Sequence, residues 1–293
     1  VTDRTNGKCY LLRIHKPVTD NLLGIQHTQE GLRAELKLLA AFAQQTRSTV
    51  QTPVCTRAGE TVTPLSADNE PVYCTVLNWI DGRNAMQEDF DDERNVRALG
   101  MQVAELHSFS LTYRPQNSLR RPEYGIERNI EMLKQIQYGQ ETGIISLSDF
   151  ATVEEVFRLI NGRLKGLSQG PDSWGLIHAD LNMSNIIVTG HGFSFIDFCL
   201  SGYGYFLHDA AQCALNVNTF KRDMFLEGYT SKLPLSGYPL YHLEGFMLLA
   251  IFGYYSFHMK NAEKHPWIQA RLPGLCETYC KPFIEGREIF YSL

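Results

Sequence analysis

The 293-residue chain has no apolar run of the roughly 18 to 20 residues that a membrane-spanning helix needs. Its most apolar stretch, Phe246 to Phe257, is bounded by Glu244 and His258 and reads as a buried helix. It has no long basic run, and a formal net charge of −5 offers no general attraction for nucleic acid or an anionic membrane. Both are therefore excluded as partners. The seven cysteines fall at irregular spacings, which argues against a disulfide scaffold and suits a reducing cytoplasm. No signal peptide is expected from the opening residues, and the sequence shows no internal repeat and no low-complexity segment. With 44% hydrophobic residues the chain is too apolar for disorder, and it is long enough for one large unit or two lobes around a cleft. It opens on Val1 instead of Met, so residues upstream are expected to be missing.

What is present begins with Tyr10 to His15, a short apolar run interrupted by Arg13. It lies after the turn Asn6-Gly7 and before Pro17, and reads as a strand leaving a hairpin. A helix follows from about Gln29 to Gln45. Leu32, Leu36, Leu38, Leu39, Phe42 and Ala43 share one arc of it, opposite Arg33, Lys37, Gln44 and Gln45. Glu35 falls inside the apolar arc, where a carboxylate is costly unless it finds a cation. Arg13 is the nearest candidate, so an Arg13–Glu35 ion pair is predicted; the alternative is that Glu35 ends the stripe and reaches water. Val50 to Ile80 reads as further sheet: Val54, a turn at Ala58-Gly59-Glu60, Val62, a polar loop from Ser66 to Glu70, then the run Val72 to Ile80. Asp81-Gly82-Arg83 breaks the run, and amphipathic helices follow, clearest from Glu93 to Phe109 with Val96, Leu99, Val103 and Leu106 in step. The pattern predicts an α+β fold in two lobes, residues 1–81 and 82–293.

The chemistry lies between Gly175 and Phe198. Two apolar strands flank a turn containing Gly190 and Gly192, which predicts a hairpin. If Val188 pairs with Phe193, Ile186 faces Phe195, and Asn185 comes beside Ile196 and Asp197 at the open end. A carboxylate next to an amide oxygen, without histidine or cysteine ligands, favours magnesium over zinc. Asp180 lies on the same loop, five residues before Asn185, placed to accept a proton from an attacking hydroxyl. A base beside metal ligands is the arrangement of phosphoryl transfer.

His178-Ala179-Asp180-Leu181-Asn182, with Asn185 and then Ile196-Asp197-Phe198, resembles the catalytic loop and metal motif of the aminoglycoside phosphotransferase and choline kinase superfamily. The resemblance implies a protein-kinase-like fold with a small antiparallel-sheet N-terminal lobe that binds nucleotide and a larger helical lobe that holds the acceptor. It implies ATP and Mg2+ as cofactors, Asp180 as base, Asn185 and Asp197 as metal ligands, and His178 as a structural residue. Arg13 stands where many members have lysine, Glu35 matches its partner, and Val76 to Gly82 resembles the hinge, so that Asn78, Trp79 and Ile80 would hold the adenine edge. Asp209, in Gly202 to Ala211, matches a structural aspartate. The sequence departs from the family at Cys199, where glycine or an acidic residue is usual, and in lacking a first strand and phosphate-covering loop before Val1.

Rival readings remain at this level. His178 and Asp180 could be metal ligands of a hydrolase, which would call for further histidines nearby. The acceptor could be a protein serine or threonine, or the chain could bind nucleotide without transferring phosphate. The expected acceptor is a small molecule with a hydroxyl, of aminoglycoside, choline, homoserine or hydroxylysine type. Arg114, Tyr124 and Arg128 are candidates to face it. Tyr203, Tyr205 and Phe206 with Tyr254, Tyr255 and Phe257 could cage a cation, although aromatics at such spacing are more often core.

Overall fold

The computed structural model describes residues 1–15, 25–67, 70–114, 121–234 and 239–293. Pro17 and the middle of the predicted polar loop lie outside them.

The first lobe is a three-stranded antiparallel sheet with one helix against it. Strand β1 (Tyr10–His15) is followed by helix α1 (Gln29–Gln45), β2 (Thr63–Ala67) and β3 (Glu70–Asn78), in the order β1-β3-β2. Thr28 starts α1 by accepting the Gly31 N–H at 3.0 Å, and Leu32, Leu36, Leu39 and Phe42 bury its apolar face. β1 is aligned on β3 along its length, Tyr10 opposite Asn78 and Arg13 opposite Thr75. The polar loop predicted from Ser66 to Glu70 is shorter than expected, because Ser66 pairs with Pro71 and Ala67 with Glu70. Ladder hydrogen bonds are made by backbone, and polar side chains do not prevent them. Val54 lies outside any strand, but its N–H donates to Val76 O and holds the segment beside the end of β3.

The rest of the chain is mostly helical. After β4 (Arg83–Asn84) come α2 (Glu93–Thr112), β5 (Glu123–Tyr124), α3 (Ile126–Glu141) and α4 (Leu147–Leu164). Three short strands follow, β6 (Trp174–Ile177), β7 (Ile186–Thr189) and β8 (Gly192–Phe195), then β9 (Gly202–Tyr205), α5 (Phe206–Asn216), α6 (Arg222–Thr230) and α7 (Leu240–His258). Helices α8 (His265–Leu275) and α9 (Lys281–Ile284) complete it. Val96, Leu99, Val103 and Leu106 all face the core, as their spacing predicts. The apolar run seen in the sequence is α7, buried against α5 and α3. No described helix is long and apolar enough to cross a membrane. Two small sheets, β4-β7-β8 and β5-β9-β6, carry the loops that form the site.

Candidate active site

The β7–β8 hairpin has the predicted register, Val188 opposite Phe193 and Ile186 opposite Phe195. One residue further, the Ile196 N–H donates to Asn185 O at 3.0 Å, which ties the approach to Asp197 to Asn185. Asp197 has φ +61°, and Ala179, on the loop after β6, has φ +65°. Left-handed backbone costs a residue with a Cβ about 1–2 kcal/mol and persists only where its surroundings enforce it. Around Ala179 the enforcer is Asp209, buried on α5. Its Oδ2 accepts the His178 N–H at 2.7 Å and its Oδ1 the Ala179 N–H at 2.8 Å. His107 on α2 holds Asp209 from behind at 3.2 Å and is itself bonded to Tyr229 Oη at 2.7 Å. Burial raises the Asp209 carboxyl, but the bond and charge of His107 outweigh it and leave the group below its usual range.

Two further side chains of α5 fasten the same loop. Gln212 accepts the Leu181 N–H at 2.9 Å and donates to Ala179 O at 3.3 Å, and Asn216 donates to Leu181 O at 2.9 Å. Between these anchors Asp180 is oriented by two amides. Asn182 donates to its Oδ1 and Asn185 to its Oδ2, both at 2.8 Å. Burial pushes the Asp180 carboxyl up, and Asp197 adds to that; His178 and the two amides pull it back.

Asn185 also donates to Asp180 O at 2.8 Å. Both neighbours are acceptors, so the amide nitrogen faces them and Oδ1 is left for another partner. The Asp197 side chain is 49% exposed. An amide oxygen and an open carboxylate are hard oxygen donors, a set that fits a divalent cation such as magnesium with positions left for phosphate. The reading of His178 and Asp180 as metal ligands of a hydrolase does not fit. His178 accepts the Asp180 N–H on Nδ1 and bonds Ile196 O through Nε2 at 2.9 Å, so both ring nitrogens are used. No group of three His, Cys, Asp or Glu suited to a metal exists among the described residues.

Arg13 and Glu35 meet as predicted, Nη1 to Oε1 at 2.5 Å, with Glu35 1% exposed. Burial opposes the Arg13 charge, yet Glu35 outweighs it and holds the guanidinium above its ordinary range. Arg13 Nη2 also lies 3.8 Å from Asp197 Oδ1, so one cation faces both the helix carboxylate and the candidate metal ligand. Arg121, which nothing in its sequence context distinguishes, is 7% exposed and donates to the carbonyls of Gly31, Phe198, Cys199 and Ser201. It binds the start of α1 to the loop after Asp197. Cys199 lies in that loop, and burial pushes its thiol up, so it stays protonated.

At the end of β3 the Asn78 N–H donates to Thr52 O at 2.9 Å and its side chain to Thr52 Oγ1 at 2.7 Å. Asn78 is thus engaged with its own lobe, and Trp79 and Ile80 follow outside the strand.

A cavity of about 430 Å³ opens on Asp180 and Asn182. Tyr124 and Arg128 line it, as the sequence suggested, and Arg114 is absent from its wall. Tyr254 and Phe257 also line it, whereas Tyr205, Phe206 and Tyr255 are buried as core, so the six aromatics do not form one cage. Gln26, preceding α1, lines it too, and both its side-chain polar atoms are buried with no hydrogen-bond partner. Such atoms cost about 1–3 kcal/mol each when left unpaired.

A two-lobed fold with a held carboxylate, a set of hard oxygen donors and a pocket at one loop has the arrangement of a protein-kinase-like phosphotransferase. The chain belongs to the phosphotransferase enzyme family, whose sequence pattern matches residues 1–239, and it is accordingly a kinase. No curated protein matches it. Among solved structures, a microcompartment-associated aminopropanol kinase has 21% identity and a TM-score of 0.78, over 96% of this chain and 87% of that one. An amicoumacin kinase in complex with AMP-PNP, Ca2+ and its ligand has 20% identity and a TM-score of 0.77, over 97% and 87%. A Plasmodium vivax ethanolamine kinase has 16% identity and a TM-score of 0.63, over 96% and 79%. At these identities the likeness shows the fold.

Proposed function

We propose that the protein is a cytoplasmic enzyme that transfers the γ-phosphoryl group of ATP to a hydroxyl of a small molecule. The observation that carries this reading is the placement of Asp180, held by Asn182 and Asn185, in the wall of a cavity of about 430 Å³. Asp180 orients the acceptor hydroxyl and takes its proton as the oxygen bonds to the γ-phosphorus and the bond from that phosphorus to the β,γ-bridging oxygen breaks. Asn185 Oδ1 and the Asp197 carboxylate would hold Mg2+, which offsets the phosphate charge when bound. Arg13, fixed by Glu35, steadies the nucleotide phosphates. The adenine edge is read by the backbone of the segment after β3, at Trp79 and Ile80; Asn78 contributes by anchoring that segment to Thr52. The lobes divide at Asp81, since β3 ends at Asn78 and Arg83 already pairs with Val188 of the second lobe.

A concave cavity of about 430 Å³ with a largely apolar wall and a few polar groups supports a metabolite acceptor over a protein serine or threonine, which needs a shallow groove. The reading is tested by magnesium-dependent ATP consumption with a panel of hydroxyl acceptors. Asp180→Asn is expected to lower turnover about 10²–10⁴-fold while leaving nucleotide affinity within a few-fold. Turnover comparable to the parent enzyme would overturn the assignment. Tight nucleotide binding without any transfer would favour a silent nucleotide-binding role.

A further inference from the structure

The charges in the pocket wall bear on the acceptor, granted the kinase reading above. Among the described residues Asp180 is the one acidic residue in that wall, and it is already bonded to Asn182 and Asn185 at the transfer end. Arg128 is the one lysine or arginine there among the described residues. The wall also has two histidines, His208 and His258, and burial holds both below their ordinary range, which favours their neutral form. A polycationic acceptor would therefore meet Arg128 and, among the described residues, find no carboxylate except Asp180.

Arg128 is placed to want an anion. Its side chain is 18% exposed, and its ion-pair partner, Glu131, is 3.4 Å away with a side chain more than half in solvent. It stands in the first turn of α3, which starts after Gly125 with no side-chain cap, and a cation at a helix N-terminus is opposed by the helix dipole. The second observation is independent. Gln26 is fully buried, and its amide oxygen and nitrogen are both unpartnered on the wall of the same cavity. A ligand amide can engage this side chain through one of its groups, its carbonyl accepting from Nε2 or its N–H donating to Oε1, since the N–H and C=O of a trans amide point in opposite directions. The remaining wall, including Met132, Phe246, Leu249 and Phe257, is apolar and suits a hydrocarbon or aromatic body.

We propose that the acceptor is an N-acylated hydroxy acid: its hydroxyl at Asp180, its carboxylate on Arg128, its amide on Gln26 and its acyl group along the apolar wall. The test uses N-benzoyl-L-serine, its carboxamide N-benzoyl-L-serinamide, and the polycation kanamycin. Each is titrated calorimetrically into the full chain with ADP and Mg2+ present, and each is then assayed as acceptor with ATP. The carboxylate is expected to bind about tenfold tighter than the carboxamide, the size of one charge-assisted contact. R128Q is expected to remove that difference by weakening the carboxylate alone. Q26A is expected to weaken both serine compounds by a similar factor. In both variants ADP affinity is the readout that separates a local acceptor effect from a damaged fold. Preference for kanamycin, equal affinity for carboxylate and carboxamide, no binding of the carboxylate, or a preference that survives R128Q would each overturn the inference. Failure of the parent protein to bind ADP with Mg2+ would sink the kinase reading as well; ADP binding without a carboxylate preference would sink this inference alone.

Discussion

At the scale of single residues, the site could be read from sequence where a side chain conflicts with its local pattern. Glu35 on an apolar arc demanded Arg13, and hairpin spacing brought Asn185 toward Asp197. Arg121, Gln212 and Asn216 could not be found this way, because their partners are backbone atoms some 30 to 90 positions away and nothing in their own surroundings marks them. Asp209 is the most consequential of the buried anchors. Asp209→Asn keeps the shape but leaves one acceptor for two N–H groups and turns an amide nitrogen toward a donor. It is expected to cost about 2–4 kcal/mol in a thermal melt. In the surviving enzyme it should lower kcat with little change in acceptor KM, since the loop carrying Asp180 loses its anchor. His15 gives a pH signature. Burial lowers its pKa to about 4, and Thr75 Oγ1 bonds its ring at 2.9 Å. Above pH 6.5 the folded and unfolded chains are both neutral at this residue. As pH falls from 6.5 to about 4 the unfolded chain takes up a proton that the folded chain refuses, so stability declines, by at most about 1.4 kcal/mol per unit. Below that window the loss levels off. Denaturant titrations of His15→Gln across the same pH range should show a flatter slope.

At the scale of elements, periodicity located α1 and α2, because each buries one face, and an apolar run located α7, which is buried over most of its length. It was silent on how closely helices approach. Gly100 and Gly228 sit where α2 crosses α6: a Cβ on Gly100 would lie 2.1 Å from Phe225 O, and one on Gly228 2.1 Å from Arg97 O. In sequence each looks like a weak point in a helix. In space each is a backbone contact that no side chain can occupy. Gly100→Ala is expected to destabilise by about 1–3 kcal/mol, the overpacking cost exceeding the gain in helix propensity. Gly162→Ala in α4, where no atom lies within 4 Å of the new Cβ, is expected to stabilise by about 0.5–1 kcal/mol. Chemical denaturation of the two variants checks both signs. If both destabilise, the close crossing is not what distinguishes Gly100.

At the scale of the whole molecule, the α+β two-lobed fold was legible because the texture changes from sheet-like to helix-like along the chain, but the coupling between the lobes was not. Two arginines contribute to that coupling, beside contacts such as Phe42 with Phe109 and Phe198. Arg13 of the first lobe reaches Glu35 and comes within 3.8 Å of Asp197, and Arg121 of the second holds Gly31 at the start of α1. The loop carrying Asp197 is therefore contacted by both lobes, so on the proposed reading nucleotide and metal bound there should stabilise the chain as one unit. At a ligand concentration about a hundred times Kd the gain is about 2.7 kcal/mol. For a chain of this size that is a rise of a few degrees in melting temperature, on the order of 5 °C. The rise is expected with ATP and Mg2+ together, is expected to be much smaller with ATP alone, and should be reversed by EDTA. Asp197→Asn removes a half-exposed carboxylate, so the melting temperature without ligand should change little while the metal-dependent rise is lost. A rise that needs no metal, or one that survives Asp197→Asn, would mean that the nucleotide is held by the first lobe alone.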